Sequence, residues 1–281
     1  MTSDEDNAAD GLFQQPVRER YLRCGLLIAI DIGNTNIVVG IFKGKTLLKH
    51  WRLGTVRERT FDEYGITMLN LLEAGKIPKD SITGAIIACV VPALKDVFSR
   101  TISEYIGIKP IFLEPGIKTG MPISTDNPKE VGADRIANAV GAYSIYKCEL
   151  IVVDFGTAIT FDYVTEKGEY AGGVIAPGIF IAAEALFEKT ARLPRVELSK
   201  PSSIVGKNTV ESIKSGLFYG YLGLVEGVVA RIKKEAAKKP RVIATGGYAH
   251  IISKETKTID AFDEFLVLKG LRVIYEVNRN A

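Results

Sequence analysis

The sequence predicts an α/β protein made of two similar halves that face each other across a cleft, and three observations carry that prediction. The stretch LLIAIDIGNTNIVVG, Leu26 to Gly40, is an apolar strand that stops on Asp-x-Gly, turns through polar residues and becomes a second apolar strand. LIVVDFGTAITFDYV, Leu150 to Val164, does the same, with Asp154 and Gly156 answering Asp31 and Gly33. Each copy runs into a Lys-Gly hairpin, and each half later carries a buried strand leading into a helix, AIIACVVPAL from Ala85 and RVIATGGYAHII from Arg241. A pattern repeated on this scale marks a duplicated unit, and each copy buries its open face against the other.

The elements follow in chain order. The apolar run Leu26 to Ile30 reads as a buried strand, Ile37 to Phe42 as a second, and a turn at Lys43-Gly44-Lys45 leads into a third, Thr46 to Arg52. Thr60 with Glu63 three residues later forms a capping box and opens a helix from Phe61 to about Ala74. The strand from Ala85 to Pro92 is followed by a helix from Leu94 to Ile106, and the Pro- and Gly-rich stretch 110–126 is irregular. Asn127, Pro128 and Glu130 supply a cap, a helix-compatible proline and an acidic first turn. They predict a helix running to about Tyr146 whose apolar side is Ile136, Val140 and Tyr143. A helix begins after Pro177-Gly178 and ends near Thr190, and a longer one runs from Asn208 to about Lys234. Gly216, Gly220, Gly223 and Gly227 share one face of it, and each costs about 1 kcal/mol against alanine. Another backbone should therefore approach that face, from the same chain or from a second subunit.

Composition excludes several function classes. With 281 residues, 47% of them apolar and 25% charged, the chain can bury a substantial core. Its 36 basic and 33 acidic residues leave a net charge of +3, and no basic block interleaved with aromatics offers a surface for nucleic acid. Cys24, Cys89 and Cys148 are odd in number and form no CxxC pair, which argues for a reducing compartment and against a structural zinc. Two histidines, His50 and His250, argue against a histidine triad. No apolar run approaches the roughly 20 residues of a membrane span. Residues 1–24 carry Asp4, Glu5, Asp6 and Asp10 where a signal peptide would be apolar. The expectation is a cytoplasmic protein with no membrane partner, whose residues 1–24 are a disordered tail or one added in cloning.

The chemistry lies in the turns. An Asp-x-Gly-x-Thr turn presents backbone N–H groups and small hydroxyls to one point, since glycine lets a phosphate approach the main chain. Asn34 and Thr35 are then phosphate contacts. Asp31, facing the same point, repels phosphate unless a cation lies between, which makes it a candidate to hold Mg2+. Taken alone, DIGNT reads equally well as a tight hairpin turn. The second copy adds Thr157 and makes a two-sided clamp, and the glycines of ATGG, Ala244 to Gly247, which alone read as a helix-entry turn, offer beside that clamp a flat floor for an adenine. In EVGADRIANAVGA, Asp134 and Arg135 occupy a first helical turn. There a carboxylate serves as dipole partner or as acceptor of a hydroxyl proton, and Arg135 is a surface residue or, with the helix amides, holds polar or anionic substrate groups.

Six segments, DIGNT (31–35), DNPKEVGADR (126–135), DFGTAIT (154–160), GGVIAPG (172–178), VGKNT (205–209) and TGG (245–247), occur in the order and spacing of type III pantothenate kinases. The chain resembles that family from Leu26 to about Ile274. The resemblance implies the fold of the actin, sugar-kinase and chaperone-ATPase superfamily, with two ribonuclease-H-like domains at residues 25–147 and 148–281. It implies ATP-dependent phosphorylation of pantothenate at its primary hydroxyl, the first step toward coenzyme A. Asp31, Ile32, Gly33, Asn34, Thr35, Asn36, Ile37 and Val38 match the family's phosphate loop, and Gly132, Ala133, Asp134 and Arg135 its pantothenate segment. Asp134 matches the proton acceptor, Asp154 a ligand of K+ or NH4+, Thr157 a nucleotide contact and Thr209 a substrate contact. It further implies Mg2+ and a homodimer. Thr125 stands where many members carry a substrate-contacting tyrosine, and Cys89 where a serine is common. Two alternatives stand beside this reading: a non-catalytic nucleotide-binding regulator, and a kinase for another small alcohol, to which Thr125 points.

Overall fold

Alternation along the first strand determines where the rest of the chain goes. In the computed structural model, which describes residues 25–279, strand β1 (Leu26–Ile32) sends Leu26, Ile28, Ile30 and Ile32 into one core and Leu27 and Ala29 into another. By the same two-residue period Asp31 falls on the face of Leu27 and Ala29. The tail expected over residues 1–24, Cys24 included, lies outside the described residues.

Strands β2 (Asn36–Lys43) and β3 (Thr46–Gly54) continue β1 as an antiparallel meander, while β4 (Ile82–Cys89) and β5 (Ile111–Phe112) add in parallel on its other side. The resulting order is β3-β2-β1-β4-β5. The second half forms β6 (Leu150–Phe155), β7 (Ala158–Val164), β8 (Tyr170–Pro177), β9 (Arg241–Thr245) and β10 (Ala261–Phe262). Their order β8-β7-β6-β9-β10 repeats the first sheet strand for strand, including the switch from antiparallel to parallel pairing. The duplication read from the sequence is thus a duplication of topology.

Helices fill three layers. α1 (Phe61–Ala74) and α2 (Pro92–Arg100) cover the outer face of the first sheet with Tyr64, Met68, Leu94 and Phe98. The capping box of α1 is formed, Thr60 N donating to Glu63 Oε2 at 2.8 Å and Glu63 N to Thr60 Oγ1 at 3.3 Å. α2 continues as a wider π-type winding over Thr101–Ile106 and stops at Gly107, where φ is 86°. α4 (Ile179–Glu188), α5 (Thr209–Glu235) and α6 (Ala249–Ile252) cover the outer face of the second sheet. Between the sheets lie α3 (Ala133–Tyr146) and α7 (Leu266–Asn278), sharing one core with Leu27 and Ala29 of β1 and Leu150 and Val152 of β6.

Three expectations need correction. Asn127 does not open the helix to Tyr146: its Oδ1 accepts from Lys129 N at 3.3 Å and caps a single 3-10 turn, Pro128–Glu130. The chain then extends through Val131 and Gly132 before α3 begins. Nor is α3 a one-sided helix. Val140 is buried and Ile136 and Tyr143 pack on the edge of the core, but Ala137 to Ala142 is buried all round because the helix is sandwiched between the halves. Finally, the glycine face of α5 has no same-chain backbone over it. Among the described residues nothing lies within 4 Å of a Cβ built on Gly216, Gly220 or Gly223. No helix among the described residues is long and apolar enough to cross a membrane.

Candidate active site

Both motif aspartates leave their strands on the faces turned toward each other. Leu27, Ala29 and Asp31 alternate onto the central face of β1, and Leu150, Val152 and Asp154 onto that of β6, so each sheet ends its inward row on a carboxylate. Beyond each aspartate the chain reverses tightly. Gly33 N donates to Asn36 O at 2.9 Å, and Gly156 N to Ala158 O at 3.1 Å, the second turn being one residue shorter. The two turns touch across the gap, Thr35 Oγ1 and Thr157 Oγ1 lying 2.9 Å apart.

The space they enclose is a cleft of about 1050 Å³, at the upper edge of the range for small-molecule and cofactor sites. Asp31, Gly33, Asn34, Thr35, Asn36, Val38, Asp134, Asp154 and Thr157 all line it. Ile32 and Ile37 do not, since their side chains are fully buried in the outer core of the first sheet. Gly246 and Gly247 also line the cleft, with Phe180 and Tyr248, whose rings meet edge to face at 4.9 Å. Gly246 holds φ at 91°, and a Cβ there would sit 2.5 Å from Asp154 Oδ1, so only glycine lets the turn pass the carboxylate.

Asp134 reaches the cleft from the first turn of α3, where its Oδ1 accepts from Arg135 N at 2.8 Å. Burial raises its carboxyl above the ordinary range, against the pull of that amide and of the Arg135 charge. Burial likewise pushes Asp31 well above its usual value, with repulsion from Asp134 and Asp154 adding to it and Arg52 opposing. Asp154 is raised to about 7, by desolvation first and Asp134 second, while a 2.8 Å bond from Asn138 Nδ2 lowers it. The three carboxyls therefore resist full ionisation together unless positive charge enters among them.

Such a setting favours a cation. Asp31 Oδ1 and Asn138 Oδ1 are buried oxygens with no hydrogen-bond partner, and both residues line the cleft. Among the described residues no three acidic, histidine or cysteine side chains are close enough to enclose a metal unaided. A cation here would take its remaining ligands from phosphate oxygens and water, as Mg2+ commonly does.

The remaining sequence candidates lie elsewhere. Gly132 and Ala133 open α3, and Arg135 turns away from the acidic cluster to Asp162. Thr209 starts α5 beside a separate groove of about 660 Å³ between α4 and α5, with Leu186, Leu193 and Ser212. Asn138, Arg52, Phe180 and Tyr248 line the cleft outside the anticipated set, and Asp162 stands behind it on Arg135. Asn138 follows Asp134 by one helical turn, and that spacing was the signal for it. Arg52 of β3, paired with Glu264 at 3.6 Å, and Asp162 of β7 sit in no motif of their own.

A family model described as type III pantothenate kinase matches residues 27–231. The type III pantothenate kinase of Geobacter sulfurreducens is 54% identical over 254 residues, covering 90% of this chain and 100% of that one. That of Syntrophus aciditrophicus is 54% identical over 253 residues with the same coverage. Among solved structures, a Baf family protein from Campylobacter jejuni has a TM-score of 0.57 at 23% identity over 90% of this chain and 100% of that one. A ROK family glucokinase from Streptomyces griseus has a TM-score of 0.50 at 11% identity over 92% of this chain and 100% of that one. Likeness at such identities concerns the fold alone. The matched model spans most of the chain and relatives more than half identical align along their full length: the chain belongs to the type III pantothenate kinase family.

Proposed function

We propose that the protein transfers the γ-phosphoryl group of ATP to the primary hydroxyl of pantothenate, giving 4′-phosphopantothenate, the first step of coenzyme A synthesis. The observation that supports this most is the presence of the Asp134 carboxylate in the same cleft as two facing Asp-x-Gly turns, in a chain of this family.

Phosphoryl transfer depends on positioning and charge neutralisation more than on covalent chemistry, and each residue has a part in that. The turn amides of Asn34 and Thr35, with the Asn34, Thr35 and Thr157 side chains, cradle the phosphates, and the strands on either side of the turn hold it in place. The glycine floor and the Phe180–Tyr248 pair receive the base. The amide of Arg135 fixes Asp134 through Oδ1, and Asp134 Oδ2 takes the proton of the acceptor hydroxyl as the bond to phosphorus forms. A base raised toward neutrality by burial accepts that proton more readily than an ordinary aspartate. Gly132, Ala133 and Arg135 are assigned to the acceptor, whereas Thr209 lies in its separate groove and would reach an acceptor only from a second subunit. Asp31 would hold Mg2+, and Asp154 with Asn138 would hold K+ or NH4+. When bound, these cations neutralise charge on the phosphates and relieve the repulsion within the acidic cluster.

The exposed Gly216, Gly220 and Gly223 support a homodimer through α5, since among the described residues nothing packs on them to recover their cost. A division into units 25–147 and 148–281 and a cytoplasmic location complete the reading. A coupled ADP-release assay with Mg2+ and K+ tests it: ADP formation should require pantothenate. Pantothenate-independent turnover, or none, would remove the assignment.

A further inference from the structure

Asp162 is a fully buried acid that takes no part in the reaction just described. It sits on β7 with none of its side chain exposed. Its Oδ1 accepts from Arg135 Nε at 2.8 Å and from the Tyr170 hydroxyl at 2.6 Å, and its Oδ2 accepts from Thr160 Oγ1 at 3.2 Å. Arg135 Nη2 lies 2.6 Å from the same Oδ1 as an ion pair and not as a hydrogen bond. Tyr170 is buried in turn and tied by its backbone to Pro122 and Ser124, which flank the isolated bridge at Ile123. Gly173 leaves the guanidinium its room: a Cβ there would stand 2.8 Å from Nη2 and 2.1 Å from Phe161 O.

Guanidinium is a rigid fork. With its Nε and Nη2 edge turned to Asp162, the Nη1 edge points the opposite way, and the side chain keeps 16% of its surface exposed. A surface arginine would lose rotamer freedom on gripping an anion, whereas one already clamped binds without that cost. Two strands and a tyrosine thus immobilise one charged side chain one residue from the base.

We propose that Asp162, backed by Tyr170, is a positioning residue that holds Arg135 as the reader of the acceptor's carboxylate. The site thereby distinguishes an acceptor ending in a carboxylate from a neutral one of the same shape. This inference rests on the pantothenate reading above.

The test compares Asp162→Asn and Tyr170→Phe with the wild type, using pantothenate and pantothenol, in which an alcohol replaces the carboxylate. Asp162→Asn should raise KM for pantothenate by about tenfold, the worth of one charge-assisted hydrogen bond, with kcat and KM for ATP unchanged. KM for pantothenol should barely move, so the preference between the two acceptors collapses. Tyr170→Phe should act in the same direction and less strongly, and it carries the test if the asparagine variant fails to fold. Wild type inactive on both acceptors would overturn the kinase reading itself. With an active wild type, a folded variant of either kind that keeps its full preference for pantothenate, or that loses kcat on both acceptors alike, overturns the role of Asp162.

Discussion

Replacing Asp154 by asparagine is expected to stabilise the cation-free protein, and more so at high pH than at low. Burial first, then the charges of Asp134 and Asp162, hold this carboxyl at about 7 against an ordinary 3.8. An acid raised in this way stays protonated in the fold at pH values where the unfolded chain has released the proton. Its cost is therefore absent below pH 3.8, grows between the two values and is complete above about 7. At 1.36 kcal/mol per pH unit, that cost is about 1.6 kcal/mol at pH 5 and about 4 kcal/mol at pH 8. The gap between variant and wild type then widens by about 2.5 kcal/mol over that span. Asp154 is only partly buried by accessible surface, so water in the cleft screens some of this, and a widening of about 1 kcal/mol or more is the expected result. Urea denaturation of both proteins at pH 5 and pH 8, in buffers free of Mg2+, K+ and NH4+, measures it. Adding K+ at pH 8 should then raise the stability of the wild type by mass action and leave the variant unmoved. A gap that is constant with pH, or one that narrows, would refute the account of the acidic cluster.

Other outcomes are expected from the same structure. Asp134→Asn should lower kcat by about 10²- to 10⁴-fold while both substrates bind within a few-fold of wild type by calorimetry, because shape is kept and proton acceptance is lost. In the wild type, the raised carboxyl of Asp134 should place the acid limb of kcat/KM above the ordinary aspartate range, with activity rising as pH increases through it. Phe98→Ala, at a fully buried position beneath α1, should cost about 3–5 kcal/mol in urea denaturation. Gly220→Glu should convert a dimer to monomer in sedimentation velocity, and an unaffected dimer would show that the glycine face is not the interface.

What the sequence made legible was whatever one strand or one turn decides alone. β1 and β6 alternate so regularly that Asp31 and Asp154 stand out as the single polar members of inward-facing rows. The bounds of α1 follow from Thr60 and Glu63, whose side chains complete the cap. Less was legible where a local signal has two uses. Asn127 announces a turn beginning, and a side-chain cap carries no information on how far the turn propagates. No boundary for α7 could be drawn, since Phe265 precedes it without any side-chain cap. Arg52 and Asp162 are isolated charges within strands, and only tertiary packing brings Arg52 to the cleft and Asp162 to Arg135.

The missing piece, α7, is also what sets the base against the phosphate turn. Asp31 belongs to β1 and Asp134 to α3, and about a hundred residues separate them. α7 packs on β1, β2 and β4 and, on its other side, along α3. The α3 contact is nearly backbone to backbone. A Cβ on Gly270 would fall 1.8 Å from Ala137 O, and one on Gly141 would fall 2.5 Å from Leu266 O. No side chain larger than hydrogen fits at either position, so neighbouring side chains cannot hold α3 and α7 farther apart there without opening a void. The last helix of the chain thus transmits the position of the first sheet to the first turn of α3. Asp134 is held relative to Asp31 by packing, although the two share no sequence neighbourhood and no hydrogen bond.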